Sequence, residues 1–422
     1  MSDGSTERPV SGEGTPGHPV IAVNEPPAGL PPLVSTPAQL DNVLQRLEAG
    51  TGPVALDTER AGSYRYSDKA YLLQVHREGS GSFLIDPLPF GRLDALQDVI
   101  GDTTWIFHAV LADLPACREL GLEPAEVFDT ELAARLLGLP NVGLGGVVED
   151  LLGIHLRKAH SAADWSRRPI PADWVRYAAL DVEYLIPLRQ RMLAELAAAG
   201  KLDIAEEEFA AQLLQTPRAT KLHDWSRLHG AGALHQPAQR RIAHALWELR
   251  DEIARQADLS PHRVYQDRAI VRAARERVRT STRLAGILGL QARDPILDRA
   301  WNALQGARDA AGDAPLRPPV PYPPTRAWAR SRPAAAARLQ LARTDLRAVA
   351  DQEHLPAENL LEPHVLKAVA WNLGEEHPGT DRLRDALRQE GARAWQIDRT
   401  AVVLAVAFAE ADRVAASAAR AA

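Results

Sequence analysis

The hexapeptide Val54-Ala55-Leu56-Asp57-Thr58-Glu59 carries an apolar run straight into two carboxylates. The apolar half reads as a short strand, and on a strand residues two apart share a face. Asp57 and Glu59 therefore point the same way. A half-buried strand has no packing reason to end like this. Each charge needs a partner, and a shared divalent cation is the simplest one. Two further acidic segments follow. Asp113 lies five residues after His108 in Phe107-His108-Ala109-Val110-Leu111-Ala112-Asp113. In Tyr177-Ala178-Ala179-Leu180-Asp181 the phenol and the carboxylate are four apart, on one face of a helix. Taken singly, each has an ordinary reading: a loop pair, a favourable charge at a helix N-terminus, two routine helix residues. Taken together, four carboxylates and a tyrosine can form a two-metal site that cuts phosphodiesters. Oxygen ligands suit Mg²⁺ or Mn²⁺.

The surrounding pattern predicts an α/β domain. Ser35-Thr36-Pro37 followed by Leu40, Val43, Leu44 and Leu47 reads as a capped amphipathic helix, stopped at Gly52-Pro53. Strands are expected at 54–58, 71–76 and 82–86, forming a meander, and again at 103–108. Helices are expected at 93–100, 111–120, 131–137, 145–151 and, as one long element, 171–198. Residues 127–130 read as a short strand or turn. Beyond residue 216 no strand is apparent. Instead a helical pattern is repeated: Leu246 to Arg255, Leu259-Ser260-Pro261 and Ile270-Val271-Arg272 find an echo in Leu341 to Ala350, Leu355-Pro356-Ala357 and Val365-Leu366-Lys367.

The chain of 422 residues is long enough for two or three domains. Its boundaries are expected as a disordered tail (1–30), the α/β domain (31–212), a helical module (218–298), a proline-rich linker (311–332) and a second helical module (335–415). The single cysteine, Cys117, excludes an internal disulfide framework. No apolar run reaches membrane-spanning length and no secretory signal is visible, so a cytoplasmic protein with no membrane partner is expected. The formal net charge of −6 hides a basic region. Between Lys221 and Arg308 there are 16 Lys or Arg against 9 Asp or Glu. A polyanion can dock there.

The three acidic segments, in their order and spacing, resemble ribonuclease D, in the DnaQ-like 3′–5′ exonuclease superfamily, on the branch whose third motif contains tyrosine. The stretch from Lys158 to Ile170 resembles that family's approach to its third motif. The helical echo resembles HRDC modules, the first copy more closely than the second. The resemblance implies a ribonuclease H-like mixed-sheet exonuclease domain followed by two small all-helical HRDC-type domains. It implies a metal-dependent 3′–5′ exoribonuclease in which Asp57, Glu59, Asp113 and Asp181 hold two divalent ions, Mg²⁺ or Mn²⁺, and Tyr177 positions the attacking water. The product would be a nucleoside 5′-monophosphate. The partner would be RNA with a free 3′ end, tRNA precursors by family likeness, acted on by a monomer. Candidate nucleic-acid contacts are His108, Lys158, Arg167, Arg168, Arg268, Arg272, Arg275 and Arg279, the last four recurring at helical spacing. Trp165 reads as a packing residue rather than a stacking platform. Two other readings stay open: an exonuclease acting on DNA, and a catalytically inactive nucleic-acid-binding protein.

Overall fold

The computed structural model describes residues 21–156, 163–215, 224–314, 322–374 and 379–421. The α/β domain contains β1 (Ile21–Val23), β2 (Leu33–Val34), α1 (Pro37–Ala49), β3 (Thr51–Arg60), β4 (Ala70–Glu78) and β5 (Gly81–Ile85). These are followed by α2 (Asp94–Ile100), β6 (Thr104–Phe107), α3 (Val110–Glu119), β7 (Glu126–Asp129), α4 (Thr130–Leu136), α5 (Leu144–Leu152) and β8 (Ile154–Leu156). The domain closes with α6 (Ala172–Glu183), α7 (Leu185–Ala198) and α8 (Leu202–Leu214). Six strands form one mixed sheet in the order β2-β5-β4-β3-β6-β7. The meander β3-β4-β5 is antiparallel, while β6 and β7 add in parallel on the other side of β3.

This topology puts β3 in the interior of the sheet, paired on both edges. Its middle residues Val54, Ala55 and Leu56 are fully buried. One face of the sheet is covered by α6, through a cluster that includes Leu72, Leu84, Trp165, Val175 and Ala179. The opposite face carries the main core, including Leu47, Trp105, Phe107 and Leu188. α1 starts as read: Thr36 Oγ1 accepts the Gln39 N–H, and the Gln39 side chain accepts the Thr36 N–H at 3.1 Å, a reciprocal cap.

Several expectations need correction. Within the tail expected over 1–30, Ile21–Val23 pairs in parallel with β8, and residues 1–20 lie outside the described residues. The single helix expected over 171–198 is two helices, since Tyr184 leaves helical geometry (φ −105°, ψ 2°). The helix at Leu202–Leu214 has no counterpart in the sequence reading. The expected linker 311–332 is not extended at its end: Trp328 is fully buried, between Tyr322 and Trp371.

The first helical module comprises α9 (Pro237–Gln256), α10 (Pro261–Val264), α11 (Asp267–Arg275), α12 (Ser281–Leu288) and α13 (Pro295–Asp309) around a core of its own. The second comprises α14 (Trp328–Ser331), α15 (Pro333–Gln352), α16 (Ala357–Leu360), α17 (Pro363–Asn372), α18 (Thr380–Gln389) and α19 (Ala394–Ala421). Its apolar residues merge with the main core of the α/β domain.

Candidate active site

β3 delivers Asp57 and Glu59 to one face, as the two-residue spacing requires. α6 brings Asp181 over them. One carboxylate oxygen from each of the three lies within 4.8 Å of the others. Asp57 Oδ2 also accepts a hydrogen bond from Gln74 Nε2 (3.1 Å) on the neighbouring strand, its direct register partner. The Tyr177 hydroxyl, one turn before Asp181, hydrogen-bonds that carboxylate.

The fourth carboxylate is held differently. β6 ends at Phe107, and Ala109 takes a left-handed conformation (φ 67°) that turns the chain into α3. A non-glycine residue there needs support. Buried Asp129 supplies it, accepting the N–H groups of Ala109 (2.9 Å) and Val110 (3.1 Å). The same carboxylate caps α4 through Glu131 and Leu132, and accepts Gln212 Nε2 at 2.8 Å. With α3 so anchored, Asp113 falls in its first turn. Its Oδ1 accepts the Thr58 hydroxyl at 2.6 Å, and Arg60 Nη2 stands 3.8 Å from the same oxygen. Asp113 thus sits beside the three-carboxylate group, on the Thr58 side of β3.

Burial and mutual repulsion act together on these acids. Burial first, then the charges of Asp113, Asp181 and Glu59, push Asp57 well above the usual carboxylate range. Burial, then the charges of Asp181 and Asp113, raise Glu59 to about 9. Asp181 is raised by burial to about 7, against the pull of the Tyr177 hydrogen bond. Asp113 is raised by burial to about 6, against Arg60 and Thr58. The Tyr177 phenol also moves up, through burial and then the neighbouring anions. Like charges packed this closely and this dry are stable together only protonated or shared by a cation. An all-oxygen donor set fits hard divalent ions. The chemistry of the site therefore matches the divalent metal that the sequence implies.

The remaining expected contacts divide. The His108 ring bonds Thr130 through Nδ1 (2.9 Å), and burial lowers its basicity. Arg168 is not available to a phosphate: its guanidinium makes a two-pronged pair with Asp86 (2.7 and 2.8 Å) and donates to the carbonyls of Trp165, Arg167 and Tyr71. Its adjacent residue, Arg167, is exposed. Lys158 lies outside the described residues. Trp165 is fully buried, edge-on to Trp174, as a packing residue should be. On α11, Arg268, Arg272 and Arg275 are exposed and line a surface cavity of about 570 Å³ together with His229 and Gln239. Arg279 does not join their row, because α11 ends at Arg275. Sequence reasoning missed Thr58, Gln74 and Asp129. Asp129, standing just before a helix, carries a recognisable N-cap signal, and Gln74 is the one polar residue in the run Tyr71 to Val75.

Comparison with known proteins agrees with this geometry. A 3′–5′ exonuclease family model matches residues 31–197, and an HRDC domain model matches residues 239–294. A third model, a 3′ to 5′ exonuclease C-terminal domain, matches residues 321–408. A ribonuclease D from Sphingobium indicum is 30% identical over 267 residues, which cover 62% of this chain and 68% of that protein. A crystal structure of a protein from Bifidobacterium adolescentis superposes with a TM-score of 0.80 at 33% identity, covering 92% of this chain and 99% of that one. Escherichia coli RNase D shares the fold, with a TM-score of 0.64 at 24% identity over 86% of this chain and all of that one.

Proposed function

The chain belongs to the ribonuclease D family of 3′–5′ exoribonucleases, and from that premise we propose that Asp57, Glu59, Asp113 and Asp181 hold two divalent ions, Mg²⁺ or Mn²⁺, across the scissile phosphate at an RNA 3′ end. The observation that carries the assignment is the approach of Asp57, Glu59 and Asp181 oxygens to within 4.8 Å of one another. Bound ions would lower the pKa of a water and neutralise charge on the leaving 3′-oxygen. The side chains do the rest. Gln74 fixes the Asp57 carboxylate from behind. Tyr177 keeps its proton, because its surroundings are anionic and buried. It therefore serves as a hydrogen-bonding group that orients the attacking water, not as a base. Thr58 fixes the orientation of the Asp113 carboxylate beside the other three. Each turnover would release a nucleoside 5′-monophosphate.

The substrate we propose is the 3′ end of structured RNA precursors, tRNA among them. Exposed Arg268 and Arg275 support this reading, since phosphate contacts of that kind bind without reading sequence, while Arg272 between them is paired with Glu276. An inert binding protein would have no use for four carboxylates kept together at such electrostatic cost.

The test is digestion of a 5′-labelled single-stranded RNA with Mg²⁺ or Mn²⁺, beside Asp57→Ala, Asp181→Ala and a matched DNA strand. A ladder shortening from the 3′ end on RNA, lost by at least a thousandfold in both variants, is expected. Equal cutting of DNA would replace the RNA assignment. No metal-dependent cutting of either strand would leave a binding protein.

A further inference from the structure

Arg60 directly follows Glu59 at a register shift in the β3–β4 pairing. It is two residues from Thr58, so both side chains reach Asp113 on the same side of the strand. Among the described residues it is the cation whose charge opposes the burial and repulsion acting on Asp57, Glu59 and Asp113 alike.

Its attachment is loose. Nη2 lies 3.8 Å from Asp113 Oδ1, and Nη1 lies 3.5 Å from Asp68 Oδ2. Charge-assisted bonds normally close to about 2.7–2.9 Å. Asp68 is itself exposed, and the Arg60 side chain keeps 27% of its surface in contact with solvent. Arg168, only one strand away, shows what a structural arginine looks like in this fold: its donors are committed to Asp86 and to backbone carbonyls at 2.7–2.9 Å. Arg60 has a planar fork of five donors and no comparable commitment.

A chain bearing two or more phosphates must approach a site rich in carboxylates. Metal ions answer the charge of the reacting phosphate only. A fixed cation at the rim is needed for the next one.

We propose that Arg60 is a substrate-binding residue, whose guanidinium grips a non-reacting backbone phosphate of the RNA next to the scissile bond. Asp68 and Asp113 hold the fork at the rim, and the phosphate replaces those long contacts with short, two-pronged ones. This rests on the exonuclease reading of the same site.

The experiment compares wild type, Arg60→Gln and Arg60→Lys on a short 5′-labelled RNA. Steady-state constants are measured alongside Mn²⁺ affinity by electron paramagnetic resonance without RNA, and RNA affinity in metal-free buffer. Circular dichroism melting checks that each variant is folded. For Arg60→Gln the expected result is a KM raised about tenfold, kcat within threefold, and Mn²⁺ affinity not weakened. Its RNA affinity should lose about 0.7 from the slope of log K against log salt, the share of one single-strand phosphate contact. Arg60→Lys should recover part of the KM. A fall in kcat at unchanged KM, or weakened Mn²⁺ binding, would overturn the proposal and assign Arg60 to holding Asp113. If wild type cuts nothing, the exonuclease reading fails, and metal-free RNA binding still decides Arg60: equal affinity of wild type and Arg60→Gln refutes the contact.

Discussion

The two helical modules are built alike and attached differently. Each contains a 20-residue helix that begins at a proline, α9 in one and α15 in the other. Each then passes through a left-handed non-glycine residue, Asp258 (φ 46°) or His354 (φ 51°), into a four-residue helix and a longer one. In both, this same corner meets the exonuclease domain. The first module does so through polar groups. Ser260 N–H donates to Tyr64 O (3.0 Å), Ser67 N–H to Asp258 Oδ1 (2.9 Å), and the Tyr66 hydroxyl to Asp251 (3.0 Å). Leu259, at the corner, stays 37% exposed. In the second module the equivalent Leu355 is 6% exposed, inside the core shared with the nuclease. There buried Lys201 donates to the carbonyls of Glu353 and His354, and Glu208 accepts from both Arg393 and Trp395. Gly138 has no side chain because a Cβ would come within 2.5 Å of His354 O. A shared apolar core makes the second module part of the nuclease fold. A polar seam leaves the first a body with a core of its own.

The severest test of that contrast is removal. A chain ending at residue 320 should expose the shared core, strip Glu208 of Arg393 and Trp395, and leave Lys201 with Leu136 O alone. Such losses are of the kind that unfold a domain of marginal stability. We expect aggregation, or a melting temperature at least about 15 °C lower for a loss of several kcal/mol, read by circular dichroism and gel filtration. Replacing residues 224–314 by a flexible linker should leave the nuclease folded. If both deletions are tolerated equally, the distinction fails.

A smaller lesion at the second seam is Lys201→Met. The ammonium also donates to Leu136 O at 2.7 Å, so it caps the end of α4 while holding the corner after α15. Methionine matches its length but leaves three carbonyls without that donor. A cost of about 2–3 kcal/mol is expected, measured by urea denaturation.

How far this architecture shows in the sequence differs by region. The central strands and the acidic trio were legible because short apolar runs bounded by turn residues and i, i+2 or i, i+4 spacing are local signals. Ile21–Val23 and Ile154–Leu156 were not, since three-residue strands carry no periodicity and pair across more than a hundred positions. The break at Tyr184 was hidden because both flanking helices continue in the same composition. Arg168 and Arg60 look equivalent as letters, and distant partners such as Asp86, 82 residues away, and the Tyr71 carbonyl separate them. The repeated helical pattern was visible, but the different attachment of its two copies was not. Leu259 and Leu355 occupy matching positions, and which one is buried depends on a surface formed by α4 and α8.

Metal and pH sharpen the comparison from the site itself. The raised carboxylates hold protons in the folded state that they lose in the unfolded chain. Between about pH 4, the unfolded value, and about 9 for Glu59, the folded state therefore binds more protons. Metal-free stability should fall as pH rises through that window. A bound divalent ion prefers the ionised set, so its stabilising effect should grow with pH. Differential scanning calorimetry with and without Mn²⁺ at pH 5.5 and 8.5 should show this shift, by several degrees, in the transition of the nuclease and second module. The first module's transition should not move. Asp57→Asn should remove most of the effect.

The mildest change falls on the matching left-handed residues. Asp258 both tolerates its backbone and uses its side chain, accepting Ser67 N–H and, at 3.4 Å, the Tyr71 hydroxyl. Asp258→Ala loses both contacts and strains the corner, a cost of about 1 kcal/mol. It should appear as faster amide exchange over residues 61–69, the segment that leaves Glu59. Asp258→Asn keeps an accepting oxygen and a side chain that favours the left-handed region, so it should show less than half of that. Among the described residues His354 meets the seam's hydrogen bonds through its backbone carbonyl. His354→Asn should therefore change stability by less than about 0.5 kcal/mol. If His354→Asn costs as much as Asp258→Ala, the two corners are held by the same forces, and the polar seam is no looser than the apolar one.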